Sequence, residues 1–150
     1  THNDISNYRV VAVDSECKLL DPSATASTVR LEADSQLEKI QLSWSAVVPW
    51  SNQIETIPNE HLIYRGGPYL DGGESATDSD LVLLASVNVI AGGFTYLDEG
   101  PLEPNTTYCY RVMTRGSYGN AQMPEPLENF SHLVCAQTRA STKPCPPMSP

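Results

Sequence analysis

Apolar and polar residues alternate singly in short stretches of this chain, and that period of two predicts strands. In Ile40-Gln41-Leu42-Ser43-Trp44, the residues Ile40, Leu42 and Trp44 share one face, which reads as a core face. His61-Leu62-Ile63-Tyr64-Arg65 is apolar on both faces and predicts a central strand, broken by Gly66-Gly67-Pro68. Further strands are predicted over 81–89 and 94–97 and at Leu133-Val134-Cys135-Ala136, with Gly92-Gly93 and Gly100-Pro101 as turns. No segment keeps a helical period beyond two turns, so the expected class is all-β.

The most informative stretch runs from Leu102 to Val112. Pro104 presets a backbone dihedral and Asn105 tolerates a tight turn, so the chain reverses there and enters a β-branched and aromatic run. Thr106, Tyr108, Tyr110 and Val112 take one face; Thr107, Cys109 and Arg111 take the other. A tyrosine entering a strand at such a corner can bury its ring and return its hydroxyl to the backbone upstream, the tyrosine corner of Greek-key sandwiches. Tyr108 is the expected corner residue, and Trp44, Tyr108 and Tyr110 are the expected structural core.

The triplet Tyr8-Arg9-Val10 recurs as Tyr110-Arg111-Val112, a separation of 102 positions and about the length of one sandwich. Each copy is followed by a polar connection and a short strand, Thr28-Val29-Arg30-Leu31 in one case and Leu133 to Ala136 in the other. The economical organisation is a tandem array. Residues 1–33 are then the last hairpin of a preceding, truncated repeat, residues 34–140 a complete domain, and residues 141–150, with Lys143-Pro144-Cys145-Pro146-Pro147, an extended linker. An extra hairpin native to one larger domain is the rival reading. On the array reading Val11, Val13, Val29 and Leu31 lack a core, so the hairpin should fold back or pair with a second molecule, with dimers expected.

Charge narrows the partners. With 18 acidic and 9 basic residues the net charge is −9, which disfavours nucleic acid and anionic membranes. The longest apolar runs are near five residues against the roughly 20 a bilayer span needs, so no membrane insertion is expected. The first residues lack both a basic and an apolar leader segment and Thr1 is no natural start, so an excised piece is expected.

Cys17, Cys109, Cys135 and Cys145 match no zinc spacing. Cys109 and Cys135 both fall on outward faces of their strands. If those strands are antiparallel neighbours, the sulfurs meet and close a 26-residue separation, worth on the order of 3 kcal/mol by chain-entropy reasoning. Such a bond implies an oxidising compartment, hence an extracellular or cell-surface location. Two free buried thiols are the alternative. Cys17 and Cys145 are not expected to pair with each other.

Trp44, Ile63-Tyr64-Arg65, and Leu102, Pro104, Thr106, Tyr108, Tyr110 and Val112 around the corner resemble fibronectin type III repeats over about residues 37–139. An immunoglobulin domain would place its tryptophan between the bonded cysteines, whereas Trp44 precedes both. Pro49-Trp50, Tyr108 to Val112, Gly116-Ser117-Tyr118-Gly119, Asn129-Phe130-Ser131 and Cys135-Ala136 look like repeats of large Bacteroidetes surface proteins that end in the gliding-motility-associated C-terminal domain. That narrower resemblance implies type IX export, a multi-repeat stalk, and a Pro-rich linker cysteine, here Cys145, paired inside the next repeat.

Candidate chemistry is sparse. Gly116-Ser117-Tyr118-Gly119 misses the G-x-S-x-G elbow, and His2, His61 and His132 lie far apart. Asp71, Glu74, Asp78 and Asp80 offer oxygen ligands for calcium in a glycine-bent loop, though at no EF-hand spacing, and a solvated loop is the plainer reading. Trp50 and Tyr69 could stack on a sugar or a partner, or simply pack. Asn105 and Asn129 head N-glycosylation sequons, which matter only in a eukaryotic source. No catalytic residue, cofactor or metal site is expected. The expected function is a non-catalytic extracellular spacer or adhesion repeat, with neighbouring repeats of the same chain and a surface protein or polysaccharide as partners. An accessory carbohydrate-associated module of a secreted hydrolase and a receptor ectodomain are the rivals.

Overall fold

The structure, a computed structural model, describes residues 6–23, 25–47, 60–117, 121–122 and 124–140. The chain is all-β, in several antiparallel sheets. Its strands are β1 (Asn7–Tyr8), β2 (Val11–Val13), β3 (Leu19–Pro22), β4 (Ala26–Ser27), β5 (Arg30–Gln36), β6 (Lys39–Ser45), β7 (Glu60–Tyr69), β8 (Val82–Asn88), β9 (Thr95–Asp98), β10 (Thr107–Gly116), β11 (Leu127–Phe130) and β12 (Val134–Gln137). One helical turn, α1 (Val89–Gly92), follows β8, with the Asn88 carboxamide oxygen accepting from the amides of Ile90 and Ala91.

The body is two sheets around one core. A three-stranded sheet runs β5-β6-β9, and a larger one runs β11-β10-β7-β8, with β12 sharing the β10 edge with β11. Val29, Leu31, Ile40, Leu42 and Trp44 from the first sheet side meet Ile63, Tyr108, Tyr110, Val112 and Ala136 from the second, all buried. The alternation in β6 is what delivers Ile40, Leu42 and Trp44 to that interior while Ser43 and Ser45 stay outside. Parallel bridges Val29–Ser131 and Leu37–Arg139 tie both ends of β5 to the last strands of the other sheet.

Four local expectations change. The 60–69 strand is not broken at Gly66-Gly67-Pro68. β7 carries on to Tyr69 through an irregularity where the register against Thr107 and Cys109 shifts, with Gly67 at a φ of 116° that a side chain rarely adopts. The proline-punctuated connection after β10 contains a strand of its own, β11, paired over Met113 to Gly116. The strand expected over 81–89 ends at Asn88, where α1 takes over with Val89 buried.

The fourth change concerns the N-terminal piece. The expected break between residues 33 and 34 falls inside β5, and Val29 and Leu31 are core residues of the body rather than an orphaned pair. The strand pairing that remains outside is β1 with β4 and β2 with β3, leaving Val11 and Val13 without a facing layer. No helix among the described residues is long and apolar enough to cross a membrane.

Candidate functional site

The sequence-expected residues gather on β10 and its neighbours. Tyr108 is buried, and its hydroxyl accepts the amide N–H of Glu103 at 3.0 Å, five residues upstream. The same residue is gripped from its other side: Thr138 Oγ1 donates to the Glu103 carbonyl at 2.5 Å and accepts from the amide of Thr106 at 3.1 Å. The corner thus closes through two hydroxyls, one on the N–H and one on the carbonyl of Glu103. Tyr110 is fully buried, and its hydroxyl donates to Asp98 Oδ2 at 2.8 Å, so burial and the adjacent carboxylate push its phenol well above the ordinary range.

Cys109 and Cys135 sit directly opposite each other in the β10–β12 ladder, Cα atoms 4.0 Å apart, and are joined as a disulfide. The outward face of Cys109 is not wet. Gly73 lies on the bond: a Cβ placed there would come within 2.7 Å of Cys109 Sγ and 2.8 Å of Cys135 Sγ, and its φ of 89° also favours glycine. Asp71 holds this loop by accepting from the amides of Gly73 and Ser75, and Asp80 by accepting from the amide and hydroxyl of Thr77. Asp78 forms an ion pair with Arg111. Three of the four candidate calcium carboxylates are therefore engaged in shaping and docking the loop. Cys17 is exposed and free at the β2–β3 turn, with a φ of 60°. Cys145 and Trp50 lie outside the described residues.

Two polar bridges that sequence reasoning missed cross between the sheets. Asp98, on β9, accepts from both Arg65 Nη1 (3.1 and 2.9 Å) and the Tyr110 hydroxyl, and also from the Gly100 amide at 3.0 Å. Arg65 lies over the Tyr108 ring, 5.6 Å from its centroid. At the other end Trp44 Nε1 donates to His61 Nδ1 at 2.8 Å, and both rings meet Phe94 near edge-on. Burial lowers the His61 pKa from 6.5 to about 4. Nothing in the sequence singled out Asp98, because Asp98-Glu99-Gly100-Pro101 reads as a turn.

A shallow depression of about 290 Å³ lies outside β7, β10 and β11, lined by Tyr64, Asp78, Leu81, Arg111 and Phe130. Arg111 Nε donates to the Ser131 carbonyl at 2.8 Å, and its guanidinium lies 4.8 Å from the Phe130 centroid. The arginine is thus paired and stacked beside two aromatic rings, Tyr64 and Phe130. Tyr69 packs over Gly66 and Gly67 rather than projecting for stacking.

No protein-family model matches the chain, and no curated protein matches it. One solved structure similar to it is pectate lyase PelI from Erwinia chrysanthemi, crystallised with tetragalacturonic acid, at 14% identity and a TM-score of 0.48. The match covers 72% of this chain and 28% of that one, so this chain corresponds to under a third of that enzyme's length.

Proposed function

We propose that the body of this chain is a fibronectin type III-like sandwich acting as a non-catalytic repeat of a secreted or cell-surface protein, one that spaces and stiffens an array and offers its loops and the Arg111 depression for adhesion. The observation that carries the reading is the junction ahead of the body. β4 passes through Ser27 and Thr28 into Val29 and β5 with no flexible stretch between. Ser27 is 3% exposed; its N–H donates to the Val47 carbonyl at 2.8 Å, its hydroxyl accepts from the Val47 amide at 2.6 Å, and its carbonyl accepts from Asn129 Nδ2 at 3.2 Å. A strand fixed on both sides of a junction transmits orientation, which a spacer needs and a tethered catalytic accessory does not.

The disulfide supports an oxidising compartment. The neighbours of the body would be further repeats, and its loop partners a surface protein or polysaccharide. Small-angle scattering on the natural polypeptide tests the spacer role. An extended, narrow distribution of dimensions is expected, and inserting Gly-Ser-Gly-Ser between Ser27 and Thr28 should broaden it. Unchanged dimensions, or turnover of a polysaccharide by the body itself, would overturn the reading.

A further inference from the structure

Two strand pairs in this chain share one construction. At β10 the Ser131 amide donates to the Val112 carbonyl at 2.8 Å while Ser131 Oγ accepts from the Val112 amide at 3.0 Å. Near the N-terminus the Ser23 amide donates to the Val10 carbonyl at 2.8 Å while Ser23 Oγ accepts from the Val10 amide at 2.9 Å. The ladders on either side of the serine match as well. Tyr8 faces Ala26 as Tyr110 faces Val134, and Asn7 faces Ser27 as Cys109 faces Cys135. Beyond the serine, Val11 faces Pro22 as Met113 faces Phe130. From Asn7 to Val11 one constant offset, 102 positions, relates the first strands, and a second, 108 positions, relates the partners; the registers part at Val13, which faces Leu19 where Arg115 faces Glu128. β10 with its split partner β11–β12 is therefore duplicated as β1–β2 with its split partner β3–β4.

The copies differ in what covers them. Tyr110 and Val112 are 0% exposed, whereas Tyr8 is 64% and Val10 73% exposed. Tyr110 and Val112 are covered because β7 pairs beside them, opposite Arg65 and Ile63, and the three-stranded sheet faces them. We propose that β1–β4 are the closing strands of a preceding sandwich unit, and that their open edge and apolar face take the earlier strands of that unit from the same polypeptide. This rests on the array reading above and names its contact. A strand in the place of β7 pairs along Tyr8 to Val13, a facing sheet covers Tyr8 and Val10, and a carboxylate receives the Tyr8 hydroxyl as Asp98 receives that of Tyr110. The charge-free pair Asn7 and Ser27 stands where the body has its disulfide.

Thiol labelling tests this on Val10→Cys, with Cys17→Ser and Cys145→Ser removing the other candidate thiols. Maleimide should react with Val10→Cys in the 150-residue chain at the rate of an exposed thiol, and at least about 100-fold more slowly in the natural polypeptide. Arg9→Cys, on the opposite face, should label quickly in both. Hydrogen exchange on the unsubstituted proteins gives the same comparison without a mutation: the Val11 and Val13 amides should gain protection only in the longer chain. Fast labelling in both proteins overturns the proposal, as does a natural sequence with no such strands ahead of the hairpin. Labelling that slows as the 150-residue chain is concentrated would make a second copy the occupant and overturns it too. Fast labelling, or labelling that slows with concentration, leaves the scattering result for the spacer role to be read on its own, and turnover by the body would leave the labelling result standing.

Discussion

The two ends of the body are stitched across the sheets by opposite chemistries. At one end Asp98 sits 2% exposed by side chain under four hydrogen bonds, two of them from the Arg65 guanidinium. At the other the Trp44–His61 bond between neutral rings lies among tilted and edge-on aromatic contacts. Ile40 lies opposite Asp98 on β6, and Leu42 stands between it and Trp44. The charged end depends on complete pairing, since a carboxylate removed from water is tolerated only while every lone pair is met. The neutral end depends on shape and on the protonation state of one imidazole.

The sharpest way to break the comparison is to remove one partner at each end. Asp98→Ala leaves the Arg65 cation and the Tyr110 hydroxyl without their acceptor and should cost about 3 to 5 kcal/mol in denaturant unfolding. Adding Arg65→Met should recover part of that loss, because the stranded charge leaves with its partner. If the double variant is as unstable as the sum of the singles, the ion pair is not what holds that end. Trp44→Ala should cost about 3 to 5 kcal/mol through lost packing and the cavity left beside His61 and Phe94, with no recovery from a second deletion. A midpoint that barely moves would mean the ring is not part of the core.

Acid should separate the ends more gently. Unfolded, His61 takes a proton near 6.5; folded, only near 4. Between those values the unfolded chain binds more protons, so stability is complete above about pH 6.5 and declines as pH falls towards 4, by about 3 kcal/mol in all. Below 4 this contribution is exhausted. Protonation at Nδ1 also removes the acceptor for Trp44 Nε1. His61→Gln should flatten the slope of unfolding free energy between pH 4 and 6.5, and a slope equal to that of the parent would assign the acid loss elsewhere.

How much of this could be read in advance depended on periodicity. Trp44, Tyr108 and Tyr110 were legible because single alternation in β6 and β10 leaves one face for the core, and Cys109 with Cys135 because both fell on the other face. Asp98 was hidden because a buried carboxylate has the same letters as a turn; only the arrival of Arg65 and Tyr110 from other strands makes it internal. Gly73 was hidden for a similar reason, since a loop that lies on a disulfide is polar in sequence. β7 was cut short because Gly66-Gly67-Pro68 signals a break even where a strand absorbs it as an irregularity. The allocation of Val29 and Leu31 failed because two strands joined without a linker leave no compositional mark at their boundary.

The smallest expected effect is at the corner, where the direction of one hydrogen bond decides its size. The Tyr108 hydroxyl accepts the Glu103 N–H, so Tyr108→Phe strands a backbone donor. A stranded buried amide would cost about 1 to 3 kcal/mol. Glu103 is exposed, however, so water can reach the released N–H, and Thr138 still holds the Glu103 carbonyl from inside. Both facts place Tyr108→Phe at about 1 kcal/mol. Thr138→Val removes the inner hydroxyl, which is buried and also serves the Thr106 amide, and should cost about 2 kcal/mol. Because both hydroxyls hold the backbone of one residue, Glu103, the double variant should lose more than the sum of the singles, a coupling of at least about 0.5 kcal/mol in a double-mutant cycle. Strict additivity would show that each hydroxyl anchors the corner on its own.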